Sequence, residues 1–323
     1  MYSIVIPVYR TADFVPMLID ALSNVARTVA ERFGVETEVV FVVDASPDDS
    51  YPRLVEALPA APFHSQLVLH SRNFGAFSAI RTGLSVAKGK YFGVVAADLQ
   101  EPPELLVEFL ERMVGGEYDV AVGVRRSRND PRMSRAASRI FWGFYYRYIM
   151  PEMPKGGVDV FGCTLQVRDE LLLIEEHNSS LIGLLLWLGY RRAEVPYDRR
   201  VRTLGKSAWT IRKKVKYMSD SIFSFTNIPI RMLTGVGILG LAVAVGYGSL
   251  VAILRLFWAI EIPGYAATVI IVSFFGGINA LGIGIVGNYT WRAYENTKRR
   301  PLSVVLSTRT FAPAGGKRRK RGG

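Results

Sequence analysis

Hydrophobic positions change their period along this chain. Over the first 124 residues, short β-branched apolar runs alternate with stretches whose apolar residues recur every three or four positions. The runs at 3–8, 38–44, 66–70, 91–96 and 119–124 read as strands. The stretches at 13–32, 48–58, 76–87 and 103–114 read as helices. Strand and helix in alternation predict an α/β fold, a Rossmann-like and mostly parallel sheet covered on both faces. A different pattern begins near residue 209. Trp209, Ile211, Val215, Met218, Ile222 and Phe225 fall at helical spacing, with Arg212, Lys213, Lys214 and Lys216 near one end, which predicts an amphipathic juxtamembrane helix over 209–231. Residues 232–254 then hold 23 positions without a charge, and 265–290 are also uncharged. At 1.5 Å per residue the first spans roughly 30 Å, the thickness of a bilayer core.

The expected organisation is therefore a catalytic-sized domain over 1–208, the amphipathic helix, and a hairpin of two transmembrane helices within 232–291. A basic tail over 292–323 follows, its Gly- and Arg-rich end partly disordered. Charge sharpens this picture. The net charge is +12, and the surplus flanks the two apolar segments, which favours an anionic membrane surface over nucleic acid. The connector carries one basic residue, Arg255, while both outer flanks are rich in Lys and Arg. By the positive-inside rule a multi-pass membrane protein results, with the soluble domain and both termini cytoplasmic. Gly240, Ala244 and Gly248, and again Gly276, Ala280 and Gly284, form small-residue rows that suit close helix packing, either within the hairpin or in a homo-oligomer. The single cysteine, Cys163, excludes an internal disulfide, and three scattered histidines give no zinc spacing. The opening residues have no basic region or cleavage site of a signal peptide.

In open parallel sheets, ligands bind beyond the carboxyl ends of the strands. Those ends read Pro7-Val8-Tyr9-Arg10, Asp44-Ala45-Ser46-Pro47-Asp48, Arg72-Asn73-Phe74-Gly75, Asp98-Leu99-Gln100-Glu101 and Val124-Arg125-Arg126. Carboxylates suit a hard divalent cation and arginines suit phosphates, so a pyrophosphate-bearing substrate with Mg²⁺ or Mn²⁺ would satisfy both. Asp48 and Asp49 also stand where a helix cap belongs. The Gly75 segment lacks a G-x-G-x-x-G pattern, so a dinucleotide site is not supported.

Taken together, these motifs resemble the family 2 glycosyltransferases, and among them the polyprenyl-phosphate (dolichol-phosphate-like, bactoprenol) group. Ile4-Val5-Ile6-Pro7-Val8-Tyr9 is similar to that family's opening strand, and Asp44-Ala45-Ser46-Pro47-Asp48 to its Asp-Asp-Gly-Ser-Pro-Asp loop. Ala96-Ala97-Asp98-Leu99-Gln100-Glu101-Pro102-Pro103-Glu104 resembles Asp-Ala-Asp-Leu-Gln-x-Pro-Pro-Glu, and Arg199-x-x-Arg202-x-x-Gly205-x-Ser207 a late phosphate motif. The resemblance implies a GT-A fold and an inverting transfer from a nucleotide sugar to a polyprenyl phosphate, with UDP-glucose the first choice of donor. By motif position, Pro7, Tyr9, Asp44, Ser46, Arg72, Gly75 and Asp98 would hold the nucleotide. Asp98 and Gln100 would ligate the metal. Arg125, Arg135, Ser138, Arg202 and Ser207 would hold lipid or diphosphate oxygens. Asp159 is expected near the reacting centre, contacting acceptor or sugar. The chain departs from the pattern at Val43, Ala96, Arg10-Thr11 and Ala208. It has no Gln-x-x-Arg-Trp, the mark of processive synthases.

Overall fold

The computed structural model describes residues 1–126, 143, 145–155, 157–200, 211–257 and 264–314. It divides into two compact units: Met1–Lys214 with Arg300–Gly323, and Val215–Arg299.

In the first unit, β1 (Tyr2–Val8), β2 (Thr37–Val43), β3 (His64–His70) and β4 (Tyr91–Val94) pair in parallel in the order β3-β2-β1-β4. Their near-continuous apolar sequences follow from cover on both faces. Ile4, Ile6, Val39 and Phe41 pack with Leu18 and Leu22 of α1 (Val15–Phe33), Leu54 of α2 (Ser50–Ala57) and Leu106 and Leu110 of α4 (Leu105–Val114). The other face carries α3 (Ala76–Val86). Gly83 lets it close on the sheet, since a Cβ there would lie 2.3 Å from the Val5 side chain. At the amino ends of the strands, Glu38 is buried and fully engaged. It accepts from the Ser3 hydroxyl at 2.6 Å, the Gln66 amide at 2.9 Å and the Lys88 backbone at 2.9 Å, as a buried carboxylate requires.

The sheet extends further than the apolar runs alone predict. β6 (Val158–Thr164) inserts antiparallel between β4 and β5 (Val120–Arg125), and β7 (Arg192–Tyr197) adds parallel to β5. The full order is β7-β5-β6-β4-β1-β2-β3-β8. Residues 292–323, expected as a tail, contribute β8 (Val305–Phe311), antiparallel on β3 with Leu67 opposite Arg309. α5 (Leu165–Leu173) and α6 (Leu181–Trp187) connect β6 to β7. Because β6 runs backwards, its first residues reach the same rim as the last residues of β4, β5 and β7.

The second unit holds all but the first four residues of α7 (Ile211–Phe225), together with α8 (Ile228–Phe257) and α9 (Tyr265–Thr297). Among the described residues one helical stretch, Ile228–Leu254, is long and apolar enough to cross a membrane, with a mean hydropathy of 2.2. The small-residue rows are largely not the packing surface between α8 and α9. Gly240 meets the Phe275 ring and Gly282 meets Leu233, whereas Gly248, Gly276 and Gly284 face open space. α7 is tied to α9 by an ion pair between Arg292 and Asp220 at 2.7 Å, and the Tyr289 hydroxyl donates to the Thr226 carbonyl at 3.2 Å.

Candidate active site

The loops after β1 and β2 are stitched together by short side chains. The Asp48 carboxylate accepts from the Ala12 backbone at 3.0 Å, and from the Ser46 and Ser50 hydroxyls at 2.5 and 2.7 Å. The Arg10 backbone in turn donates to the Ser46 hydroxyl at 2.7 Å. Burial works to raise the Asp48 pKa, but these hydrogen bonds outweigh it and hold the carboxyl below its ordinary range. Arg10, Ala45 and Leu99 all adopt positive φ, at 55°, 46° and 52°. Non-glycine residues in the left-handed region carry strain, and all three stand just past strands at the ligand-binding rim. Tyr9 is half-buried at that rim with the Arg10 guanidinium 5.5 Å from its ring centroid, and Pro7 lies beneath it in β1.

Asp44 follows β2 and is 2% exposed. Its Oδ1 accepts from the Phe74 backbone at 2.8 Å and its Oδ2 from the Gly75 backbone at 2.7 Å. Gly75 has φ 98°, a conformation only glycine adopts freely, and it opens α3. Asp44 and Ser46 therefore shape their loops; their polar atoms are spent on protein partners. Arg72 is exposed on the same loop with its guanidinium 4.0 Å from the Phe74 ring centroid.

The second half of the site gathers around Glu101. Asp98 and Gln100 are half-buried after β4, and the Gln100 side-chain oxygen accepts from Arg199. Arg199 also lies 3.4 Å from Glu101, which is 2% exposed. Burial pushes the Glu101 carboxyl up to about 7; Asp159 and Asp98 add to the rise, while Arg199 and Arg125 oppose it. Across the rim, Arg125 at the end of β5 pairs with Asp159 near the start of β6. The Tyr197 hydroxyl, at the end of β7, donates to Asp159 at 3.1 Å. Arg125 is mostly buried, and its Nε has no partner among the described residues.

This rim has the donor set for a magnesium- or manganese-type ion held on a substrate diphosphate. Such ions take one or two protein carboxylates, with phosphate oxygens and water completing the shell. Asp98, half-buried after β4, could supply such a carboxylate, and the Gln100 side-chain oxygen, which accepts from Arg199, keeps a second lone pair. Among the described residues no group of three His, Cys, Asp or Glu side chains forms a self-sufficient metal cage.

Residues 3–172 match the family model described as Glycosyl transferase family 2. The chain belongs to this family. An undecaprenyl-phosphate 4-deoxy-4-formamido-L-arabinose transferase of Sodalis glossinidius is 31% identical over 94% of this chain and 92% of its own length. A prophage bactoprenol glucosyl transferase homolog of Escherichia coli is 27% identical over 94% and 97%. A solved mannosyltransferase from Pyrobaculum calidifontis, in complex with GDP-Man and Mn²⁺, has 18% identity over 91% of this chain and 84% of that one, with a TM-score of 0.46. The protein is accordingly a glycosyltransferase with a GT-A fold.

Of the site residues expected from this glycosyltransferase sequence, Pro7, Tyr9, Asp44, Ser46, Arg72, Gly75, Asp98, Gln100, Arg125 and Asp159 are described, and all stand along the carboxyl rim of the sheet or beside it. Arg135, Ser138, Arg202 and Ser207 lie outside the described residues. The structure adds three participants that sequence reasoning does not single out: Glu101, Tyr197 and the ion-pairing role of Arg199. Glu101 belongs to the same Asp98–Glu104 motif as the expected metal ligands. Tyr197 ends a run whose burial alternates along Arg192–Tyr197, the period-two signal of a strand that points its last residue at the rim.

Proposed function

We propose that this glycosyltransferase moves a sugar from a nucleotide sugar to a polyprenyl phosphate, with inversion at the anomeric carbon, on the cytoplasmic face of a membrane. The observation that carries the reading is the rim on which the Arg125–Asp159 pair and Asp98 all lie within electrostatic reach of the buried Glu101. It offers one carboxylate for a metal-bridged diphosphate and a buried guanidinium for a second anion. Two of the relatives matched over more than nine-tenths of their length are named for bactoprenol and undecaprenyl-phosphate chemistry, and the long apolar α8 accords with a lipid acceptor.

In this reading Tyr9, Arg72 and the loop held by Asp44 receive the base and ribose of the donor. Asp98 takes the divalent ion, which when bound supplies Lewis-acid neutralisation of the departing diphosphate. A phosphate monoester is largely dianionic near neutrality, since its second pKa is about 6, and so it attacks with little help from a base. The main cost is bringing two anions together, and Arg125 reduces it by meeting the incoming phosphate. Asp159 holds the Arg125 guanidinium in place and lies where the sugar or acceptor would pass. Arg135, Ser138, Arg202 and Ser207 complete the phosphate contacts by motif position, and Mg²⁺ or Mn²⁺ serves as the ion. UDP-glucose is the first-choice donor. Residues 232–254 and 265–290 form the membrane hairpin, with both termini cytoplasmic and the protein a homo-oligomer.

The purified full-length chain, undecaprenyl phosphate, Mn²⁺ and labelled UDP-glucose, GDP-mannose or UDP-N-acetylhexosamine in turn form the test. A labelled lipid with one of these donors is the expected result. Failure with all of them, in protein that is folded by circular dichroism, would remove the proposed reaction.

A further inference from the structure

A buried line of polar side chains runs from the carboxyl-terminal segment into the loop read as the donor site. The Ser303 hydroxyl lies 2.7 Å from the Thr82 hydroxyl on α3. Thr82 lies 2.9 Å from Nε2 of His70, and Nδ1 of His70 lies 2.8 Å from Oδ1 of Asp44. Asp44 then holds the backbone N–H groups of Phe74 and Gly75 at 2.8 and 2.7 Å. His70, Thr82 and Asp44 are 1%, 6% and 2% exposed, so water does not replace these partners cheaply. The ionised carboxylate accepts only, which places a hydrogen on Nδ1 of His70. The Thr82 hydroxyl can donate to Nε2 or accept from it, and it shares one further hydrogen bond with the Ser303 hydroxyl, so it is engaged on both sides. Each hydroxyl orients the next group, and the line ends on two backbone amides.

Ser303 is held in place by its neighbours in the chain. The Ser71 backbone donates to the Val304 carbonyl at 3.0 Å, and β8 continues from Val305 opposite His70. The register of β8 on β3 shifts between Leu69 and His70, just where the relay begins. The carboxyl-terminal segment is thus hydrogen-bonded to the strand that leads directly into Arg72-Asn73-Phe74-Gly75.

We propose that Ser303 and Thr82 are positioning residues for nucleotide binding: through His70 and Asp44 they set the conformation of the Arg72–Gly75 loop that receives the donor. None of the four needs to touch the nucleotide. The inference rests on the reading of that loop as the donor site, and the experiment separates the two.

UDP and GDP, each with Mn²⁺, are titrated calorimetrically into the full-length protein and into Ser303→Ala, Thr82→Val and Ser303→Thr. Where a donor turns over, its KM and kcat are measured for the same proteins. The unaltered protein should bind one of the nucleotides. Ser303→Ala and Thr82→Val should weaken that binding about fivefold, the scale of one neutral hydrogen bond, and raise donor KM by the same factor with kcat within about twofold. Ser303→Thr, which keeps the hydroxyl, should bind as the unaltered protein does. If the unaltered protein binds nucleotide and the two variants bind it equally well, the relay is overturned while the donor-site reading stands. The relay is overturned in the same way if the variants lose only thermal stability. If the unaltered protein binds neither nucleotide, the donor-site reading fails, and the relay with it.

Discussion

The Tyr197 hydroxyl donates to Oδ2 of Asp159 at 3.1 Å, joining the last residue of β7 to the second residue of the antiparallel β6. Asp159 also pairs with Arg125 from β5. Three strands that are distant in sequence therefore fix one carboxylate at the rim. Burial raises the Tyr197 pKa, with Asp159 and Glu101 adding to it, so Tyr197 stays a neutral donor across the working pH range. Asp159→Asn is expected to lower kcat about a hundredfold, within the usual range for loss of a group acting on the reacting atoms. Tyr197→Phe, which leaves Asp159 charged but less firmly held, should lower kcat about fivefold. Steady-state kinetics with the donor that labels lipid checks both, and an Asp159→Asn enzyme with full turnover removes Asp159 from the mechanism.

In the proposed reaction Asp98 is the carboxylate that carries the metal. Asp98→Ala should reduce turnover about a thousandfold, which corresponds to the loss of several kcal/mol of charge stabilisation on the leaving group. Titrating Mn²⁺ against nucleotide binding provides a second readout. The variant should lose the dependence of nucleotide affinity on metal, and undiminished dependence would assign the metal to other residues.

Asp48 couples the stability of the loops after β1 and β2 to pH. Its folded pKa lies below the ordinary value because of the hydrogen bonds from Ser46, Ser50 and Ala12, which outweigh burial. A depressed carboxyl contributes stability in full above its unfolded pKa of about 4, and that contribution disappears as pH falls through the folded value. Asp48→Asn should therefore melt at a lower temperature than the unaltered protein at pH 7. The gap should shrink as pH falls below about 4. Thermal unfolding followed by circular dichroism over that range checks the prediction, and a gap that does not change with pH would contradict it.

Arg292 and Asp220 form a largely shielded pair, their side chains 15% and 16% exposed. Arg292 also donates to Asn288 at 2.8 Å and stacks on the Phe223 ring with its guanidinium carbon 5.2 Å from the centroid. Removing Arg292 leaves the Asp220 charge shielded without its cation, which costs about 3 kcal/mol or more. Arg292→Met should destabilise the helical unit by that scale, and Arg292→Met with Asp220→Leu should recover most of it. Thermal unfolding in detergent micelles, read from helix content, distinguishes the two.

The strands and helices from Tyr2 to Arg125 are legible in the sequence because their signals are local. β1 and β2 are uninterrupted apolar runs, and α1 and α4 carry clear three-to-four periodicity. The strand-end motifs are legible for the same reason: Asp44, Asp98 and Arg125 end strongly patterned strands or follow them within four residues. β7 and β8 are harder. β7 alternates buried and exposed positions over only six residues and includes a proline, and β8 is mostly exposed, so neither carries a continuous apolar signature.

By itself the sequence determined the fold class, the strands and helices from Tyr2 to Arg125 and the family motifs at the ends of those strands. Periodicity and motif spacing record these within short windows. Only the tertiary structure decided that β6 runs backwards and brings Asp159 against Arg125, and that β8 returns to β3 so that Ser303 meets Thr82 across 221 positions. It also showed that Asp44 is engaged by loop backbone amides and the His70 ring, and Ser46 by the Arg10 backbone and the Asp48 carboxylate. Strand direction and long-range hydrogen bonds depend on which edges and buried acceptors are left unsatisfied once the core has closed, and no local window of sequence contains that information.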